Sequence, residues 1–375
     1  MKAKTILMTV LCAALFCGCT QEKKGYDPIN PNASKEARQL LEFLYSIQGE
    51  YTLAGQHNFS SDLERYDNAV KEVTGKTPVI WGCDFSFNAL GDNARRYQHC
   101  GPMNLTVPFD ACDFNGRTTE ELRQGVVDQA KKMYAEGRII TLMWHRCFPT
   151  FGDSCNGDEI WTMENAPSWE TWEELTTEGT DLNDMWKKQL DGVAYYLKQL
   201  RDANIPVLWR PYHEMNGVWF WWDNKPGAEG FQKLWKMEYD YLTNYHQLNN
   251  LLWVWNTNAP RDIPGDEAGP YADYFPGVEY VDVLAADVYR QDYKQSHHDD
   301  IFEIGQGKII ALGEVGDLPT EEMYAAQPNW GWFMTWGYFI NRGKNQELAP
   351  VIYNDPRTLT LDRIDFSNKT YKIKK

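Results

Sequence analysis

Two glutamates, each near the end of an apolar run, are the side chains in this sequence best suited to acid–base and nucleophilic chemistry. Glu214 ends the run at residues 207–214 (VLWRPYHE), and Glu314 lies in the run at residues 308–316 (KIIALGEVG). Glycoside hydrolysis requires two facing carboxyl groups, because one donates a proton while the other attacks the sugar. The structural alternative is a pair of glutamates that serve only in salt bridges.

Strand-like and helical patterns alternate around these two glutamates. Near-continuous apolar runs, typical of buried parallel strands, occupy residues 52–57, 78–85, 138–145, 207–214, 250–258, 281–289, 308–316 and 330–339. Apolar residues at helical spacing occupy residues 119–137, 182–203 and 229–246, and a helix at 34–47 should cap the base. The alternation predicts a single-domain (β/α)₈ TIM barrel of the α/β class. The alternative, an open doubly wound sheet, would want a glycine-rich turn after the first strand, where Gln56, His57 and Asn58 stand instead.

Polar side chains stand at the ends of these runs, which is where a barrel of this class places its active site. They include His57, Asp84, His145, Arg210, Asn258, Asp287 and Trp336. The runs that carry Glu214 and Glu314 are the fourth and the seventh, and those strands lie across the barrel mouth from each other. Both carboxyl groups are therefore expected to face one bound sugar.

The segment at residues 210–217 (RPYHEMNG), followed by VWFWW, closely resembles the acid/base motif of glycoside hydrolase family 26. Further blocks match at residues 53–57 (LAGQH), 287–289, 312–316 and 353–357 (YNDPR), so the resemblance covers roughly residues 34–365. It implies that Glu214 is the acid/base and Glu314 the nucleophile. It also implies a substrate-binding set made up of His145, His213, Trp219, Asp287, Tyr289 and Trp336.

The resemblance implies a retaining β-mannanase that hydrolyses β-1,4-mannosidic bonds in mannan, glucomannan or galactomannan. A β-1,3-xylanase or a mixed-linkage β-glucanase of the same family is the alternative, and a non-catalytic glycan-binding barrel is a third interpretation. The acid must keep its proton near neutral pH, so Glu214 needs apolar neighbours such as Trp219 and Trp209. We expect Tyr289 to hydrogen-bond Glu314, and Trp219 and Trp336 to stack on sugar faces.

Composition narrows the classes of ligand and cofactor. The net charge of −16 makes nucleic acid an improbable partner, because phosphate binding needs clustered lysine and arginine. Aromatic residues make up 14%, which fits either a tryptophan-rich core or stacking platforms. His213-Glu214 begins a zinc-type H-E-x-x-H pattern, but Gly217 stands where the second histidine would be. No phosphate-binding glycine loop follows a strand, and we predict no cofactor and no metal.

The first residues have the pattern of an export signal peptide. Two lysines precede the apolar run at residues 5–16, and the ending Leu15-Phe16-Cys17-Gly18-Cys19 resembles a bacterial lipoprotein box. We therefore predict a signal peptide at 1–18, lipidation at Cys19, a tether at 19–33 and the catalytic domain at 34–375. The mature protein would be an exported lipoprotein of the outer membrane, on its periplasmic or cell-surface face. Its odd number of remaining cysteines leaves any disulfide pairing open.

Overall fold

A closed barrel of parallel strands forms the centre of the molecule. The computed structural model describes residues 27–89, 97–99, 117–150 and 166–374. The barrel strands are β1 Thr52–His57, β2 Ile80–Asp84, β3 Ile139–Trp144, β4 Val207–Pro211, β5 Leu251–Asn258, β6 Val283–Val288, β7 Ile309–Val315 and β8 Trp330–Thr335. Each strand pairs in parallel with the next, and β8 pairs back onto β1, with Leu53 opposite Trp332. The predicted (β/α)₈ barrel is therefore confirmed.

Helices surround the barrel and connect its strands. They are α1 Lys35–Ile47, α2 Arg65–Thr74, α3 Thr119–Ala135, α4 Trp169–Leu175, α5 Asp181–Asp202, α6 Phe231–Asp240, α7 Tyr271–Tyr274, α8 Gln295–Ile304, α9 Glu321–Ala326 and α10 Gly343–Asn354. Side-chain caps define several starts, as where the Thr118 hydroxyl accepts from the Glu121 amide and begins α3. Short strands add to the edges: Thr358–Leu359 pairs with β1, Phe87–Ala89 with Tyr97–His99, and Ile364–Asp365 with Lys372–Ile373.

Three predicted elements end earlier or change form. The fourth strand stops at Pro211 because Tyr212 and Glu214 adopt left-handed backbone angles (φ 49° and 58°), which break the pairing. The eighth stops at Thr335, and a 3₁₀ helix, Gly337–Asn341, follows Trp336. The helix predicted over 229–246 is α6 followed by a π-helical turn, Tyr241–Tyr245, in which the His246 amide bonds the Tyr241 carbonyl.

Most of the aromatic excess is in the core. Every residue of the eight strands is buried, as expected of parallel strands covered by helices on the outside. Among the described residues, the largest fully buried side chains include twelve tryptophans, such as Trp172, Trp209 and Trp255. Stacking platforms therefore account for only a small part of the tryptophan content.

The amino-terminal segment docks at the base of the barrel, at the end opposite the strand carboxyl termini. The Ile29 amide donates to the Asp282 carboxylate at 2.8 Å, and Asp282 directly precedes β6. The Ser34 amide donates to the Asn249 carbonyl at 2.7 Å, just before β5. Among the described residues, no helix combines the length and apolarity needed to cross a membrane. Cys19, the predicted signal peptide and residues 19–26 of the predicted tether lie outside the described residues.

Candidate active site

The two glutamates meet at the carboxyl ends of the strands, together with Asp287. One carboxylate oxygen from each of Glu214, Asp287 and Glu314 lies within 4.8 Å of the other two. All three side chains are buried. The two glutamates open onto a cavity of about 770 Å³, whose wall also contains His145, His213, Trp219, Tyr289 and Trp336. Asp287 is fully buried beside them and is not part of the cavity wall.

A tight turn after β4 aims the Glu214 side chain into the cavity. The Glu214 amide donates to the Asn256 carbonyl of β5 at 2.8 Å, and its carbonyl accepts from the Gly217 amide at 2.8 Å. The left-handed backbone of a glutamate is a costly conformation that persists only where the surroundings impose it. The Trp222 indole supports the turn by donating to the His213 carbonyl at 2.9 Å. Backbone strain at this position is typical of a functional residue.

Glu214 is a carboxyl group that keeps its proton at neutral pH. Burial, followed by the negative charge of Glu314, raises the pKa of Glu214 to about 8. The Trp219 indole, which donates to Oε2 at 2.7 Å, offsets part of this effect. The Asn258 amide donates to Oε1. The neighbourhood therefore has the property required of a general acid.

Glu314 is the member of the pair that carries the negative charge. Burial keeps the pKa of Glu314 above its ordinary value, although the Arg210 guanidinium, 3.5 Å from Oε1, and the Tyr289 hydroxyl, which donates to Oε2 at 2.7 Å, both act to lower it. Among the described residues, no cation contacts Glu214 directly in this way. Arg210 is itself held by Asn256, whose Oδ1 accepts from Nη1 at 2.6 Å. The two carboxyl groups are thus driven to different protonation states by their surroundings.

Asp287 forms a third, neutral carboxyl group in the floor of the site. Burial and the charges of Glu314 and Glu214 raise its pKa well above the ordinary value for aspartate. Glycine at position 313 permits this crowding, because a Cβ there would overlap the Asn256 side chain and come within 2.8 Å of Asp287.

Histidines line one side of the cavity. The ring and the amide of His145 both contact the same Asp84 oxygen at 2.9 Å, which fixes the ring orientation. The His145 ring meets that of His213 at 4.5 Å between centroids. Burial lowers the pKa of His213 well below its usual range, so this ring is neutral and can hydrogen-bond an uncharged ligand.

Two tryptophans provide the aromatic faces of the cavity. Trp336 stacks on His57 with a centroid separation of 4.0 Å. Trp219 lies against Gly217, where a Cβ would come within 2.8 Å of the indole ring. Its amide and that of Phe220 both donate to the Asp223 carboxylate, which fixes the loop. A flat apolar ring suits the C–H face of a pyranose.

The three carboxyl groups are also the only side-chain cluster of metal-binding composition within the described ranges. The oxygens of Glu214 and Glu314 already accept hydrogen bonds from Trp219, Asn258 and Tyr289, and Arg210 supplies the positive charge beside Glu314. A cation would have to compete with these donors and with the guanidinium. The arrangement is that of an acid–nucleophile pair, and the absence of a cofactor stays a prediction.

The structure brings the predicted substrate-binding set together: five of its six residues line the cavity, and Asp287 lies buried beside them. Trp209 is on the opposite face of β4 from Arg210, near Glu238, and does not border Glu214. Of the two tryptophans on α4, Trp172 is buried, and Trp169 is exposed but not on the cavity wall. The position of Arg210, Asn258, Asp84 and His57 at strand ends signalled a role for each, whereas nothing in the sequence pointed to Arg261, which contacts both Asn258 and Trp219.

Comparisons with known proteins agree with this geometry. The family model described as "Glycosyl hydrolase family 26" matches residues 29–94 and 107–363 of this chain. A mannan endo-1,4-beta-mannosidase of Thermothelomyces thermophilus is 31% identical over 89% of this chain, and one of Bacillus subtilis is 27% identical over 90% of it. The chain spans 62% of the first relative's length and 45% of that of a Piromyces mannan endo-1,4-beta-mannosidase A, but 89% of the Bacillus protein.

Solved structures of similar sequence have the same overall fold as this chain. GH26A of a Muricauda species superposes with a TM-score of 0.78 at 42% identity, covering 90% of this chain and all of that one (100%). A β-mannanase from a protist symbiont of the termite Reticulitermes speratus, determined with gluco-manno-oligosaccharide, gives 0.69 at 29% identity, covering 90% of this chain and 96% of that one.

Replacing Glu314 with glutamine should lower the pKa of Glu214 from about 8. The amide removes the nearest negative charge, so the ionised form of Glu214 becomes less costly. A ¹³C NMR titration of labelled glutamate carboxyls, with the Glu214 signal assigned from Glu214→Gln, measures the shift. The matched control Glu229→Gln removes an exposed carboxylate and should leave this pKa in place. An unchanged Glu214 pKa in Glu314→Gln would show that the two groups are not coupled.

Proposed function

This chain belongs to glycosyl hydrolase family 26, and we propose that it hydrolyses β-1,4-mannosidic bonds in mannan, glucomannan or galactomannan with retention of configuration. The observation that carries the proposal is the Glu214–Glu314 pair, whose oxygens lie within 4.8 Å. Retaining glycosidases hold their carboxyl groups about 5–5.5 Å apart, whereas inverting enzymes leave roughly 6.5–9.5 Å for a water molecule. The curated relatives act on mannan by name, which supports the substrate class.

In the first step, the Glu314 carboxylate attacks the anomeric carbon while the bond to the leaving sugar breaks. Glu214 gives its proton to the departing oxygen, which leaves as a hydroxyl group. Tyr289 and Arg210 hold Glu314 on the line of attack and keep it ionised until the sugar arrives. The products are a glycosyl ester on Glu314 and an ionised Glu214.

The second step uses the same pair in reversed roles. Esterification removes the charge of Glu314, which after burial was the largest cause that raised the pKa of Glu214. Glu214 is then a stable carboxylate that can take a proton from water, while the water oxygen attacks the anomeric carbon and the ester bond breaks. The loss of the Glu314 charge in the first step thus turns Glu214 from the acid of that step into the base of the second.

The cavity suits an uncharged pyranose. His145, His213 and Tyr289 offer hydrogen bonds, and Trp219 and Trp336 offer flat apolar faces. Mannose differs from glucose in its axial 2-hydroxyl, where interactions strengthen as positive charge develops on the ring. The neutral His213 beside the acid favours hydrogen bonding to such a hydroxyl over recognition of an acidic sugar.

We also propose that the protein is an exported bacterial lipoprotein anchored through Cys19 to the outer membrane. The signal-like residues 1–18 support this, and so does the docking of Ile29 and Ser34 at the base of the barrel. A tether that leaves from the base would direct the cavity away from the membrane and toward polysaccharide. Secretion without lipid is the alternative.

The purified protein should release oligosaccharides from unsubstituted mannan, show little activity on cellulose, and show none on polyuronates. The physical reason is that the residues proposed to surround the reacting sugar offer it hydrogen bonds from His213 and Tyr289 and flat apolar faces from Trp219 and Trp336. Product sizing by chromatography measures all three, with Glu314→Gln as the blank. Faster hydrolysis of β-1,3-xylan or mixed-linkage glucan than of mannan would overturn the substrate and leave the mechanism intact. Binding to mannan without hydrolysis would favour the non-catalytic interpretation.

Glu314→Gln should lower turnover by about 10³-fold or more, because an amide is a poor nucleophile. Glu214→Ala should lower it severely on mannan but much less in the glycosylation step of an aryl β-mannobioside with a good leaving group, which needs no proton. Stopped-flow measurement of aryl alcohol release separates the two effects. Equal losses on both substrates in Glu214→Ala would contradict the acid/base assignment, and Glu229→Gln is the control for expression and folding.

Replacing Cys19 with alanine, behind a conventional cleavable secretory leader, should move the protein from the membrane to the soluble fraction. The change removes the thiol that would carry the lipid. Membrane fractionation and metabolic labelling with an alkyne fatty acid measure the outcome. Cys17→Ala in the native leader is the matched control and should remain lipidated. Tight membrane association of the Cys19→Ala protein would mean that the anchor is elsewhere.

A further inference from the structure

Arg261, in the loop that follows β5, contacts both hydrogen-bond donors of the acid/base residue. Its Nη1 donates to Oδ1 of Asn258, and its guanidinium lies over the Trp219 indole, 5.2 Å from the ring centroid. Asn258 and Trp219 in turn donate to the two carboxylate oxygens of Glu214. The guanidinium is therefore linked to each carboxylate oxygen of Glu214 through one intervening side chain.

The contact with Asn258 determines which end of that amide faces Glu214. An arginine is only a donor, so it selects the amide oxygen and turns the amide nitrogen toward Oε1 of Glu214. With the amide reversed, its oxygen would accept the proton of Glu214 and hold that proton away from a departing sugar. The backbone of Asn258 is separately fixed, because its amide donates to Asn216 at 2.8 Å, so the amide orientation is what Arg261 adds.

The guanidinium is itself held in place by the loop. Its Nε donates to the Asp266 carbonyl at 2.9 Å and its Nη2 to the Asp266 carboxylate at 2.7 Å. Residue 261 also forms an antiparallel bridge with Ala268. Arg290 reaches the other carboxylate oxygen of Asp266 but is largely exposed, so this second pair contributes little. The Arg261 side chain is only 11% exposed, so its contacts are shielded from water.

We infer that Arg261 is a positioning residue for the acid/base: it orients the Asn258 amide and packs on Trp219, and thereby holds both donors on the Glu214 carboxyl group. The inference rests on the proposed function, in which Glu214 protonates the leaving oxygen. It assigns a role in catalysis to a side chain of the mouth loop that reaches Glu214 only through Asn258 and Trp219.

The inference predicts the direction in which the pKa of Glu214 should move when Arg261 is lost. The charged or titratable groups that act on Glu214 from the elements around it are Glu314, Arg261, Asp266, Asp287, Asp223 and Tyr289. Arg261 is the cation of this set, and its charge lowers the pKa of Glu214. Its loss would remove that effect, leave Asp266 less well neutralised, and free Asn258 to accept the Glu214 proton. All three changes stabilise protonated Glu214.

The test compares Arg261→Met with Arg261→Lys in the full-length enzyme. Arg261→Met keeps an unbranched side chain but removes the guanidinium, with its charge and its pair of hydrogen-bond donors (the fork). The alkaline limb of the kcat/KM profile on manno-oligosaccharide should therefore move to higher pH by about 0.5–1 pH unit. Turnover on this substrate should fall about 10–100-fold, while release of a good aryl leaving group falls much less. Arg261→Lys keeps the charge without the fork, so it should retain most of the alkaline limb but show the same dependence on the leaving group.

Arg290→Met is the matched control, because it removes a cation that pairs with the same aspartate but reaches neither Asn258 nor Trp219. Its effects on the limb and on the leaving-group ratio should be smaller than those of Arg261→Met. An unmoved alkaline limb with equal losses on both substrates would overturn the inference, and so would an equal effect of Arg290→Met. If wild type does not cleave mannan, or Glu214→Ala shows no leaving-group dependence, the proposed function itself has failed.

Discussion

Two buried carboxyl groups within 4.8 Å of each other cannot both be ionised, and the rest of the site follows from this constraint. The protein must place one negative charge on the pair and decide which member carries it. Arg210 and Tyr289 assign the charge to Glu314, so the proton stays on Glu214. In the proposed mechanism this repulsion disappears when Glu314 is esterified, so one electrostatic interaction makes Glu214 first the acid and then the base.

The barrel provides the rigid frame that holds the two buried carboxyl groups this close together. Parallel strands buried under helices give a rigid frame, and their carboxyl ends bring residues that are distant in the chain to one cavity. Neighbouring groups are neutral by burial, as with His213 and Asp287, so they add hydrogen bonds without a further charge. The loop after β5 then adds Arg261, which contacts both donors of Glu214, Asn258 and Trp219.

The sequence predicted the barrel and the strand-end position of its polar side chains because both depend on local patterns, whereas the roles of the site residues came from the family resemblance and stay predictions. Buried parallel strands are continuous apolar runs, and the polar residue that ends each run marks the mouth, as Glu314 and Asp287 do. Trp209 was misassigned because neighbours on a strand face opposite sides, and Arg210 takes the inward position. Arg261 could not be found from the sequence, since its importance comes from contacts with Asn258 and Trp219 that only the folded loop creates.

The measurement that tests the central claim most directly is the configuration of the product at the moment of its formation. Proton NMR of the anomeric signal, recorded during hydrolysis of a manno-oligosaccharide and before mutarotation, identifies the first anomer released. A pair of carboxyl groups this close leaves no room for water between the sugar and Glu314, so the β-anomer should appear first. Initial release of the α-anomer would mean direct attack by water, and would contradict the assignment of Glu314 as a nucleophile.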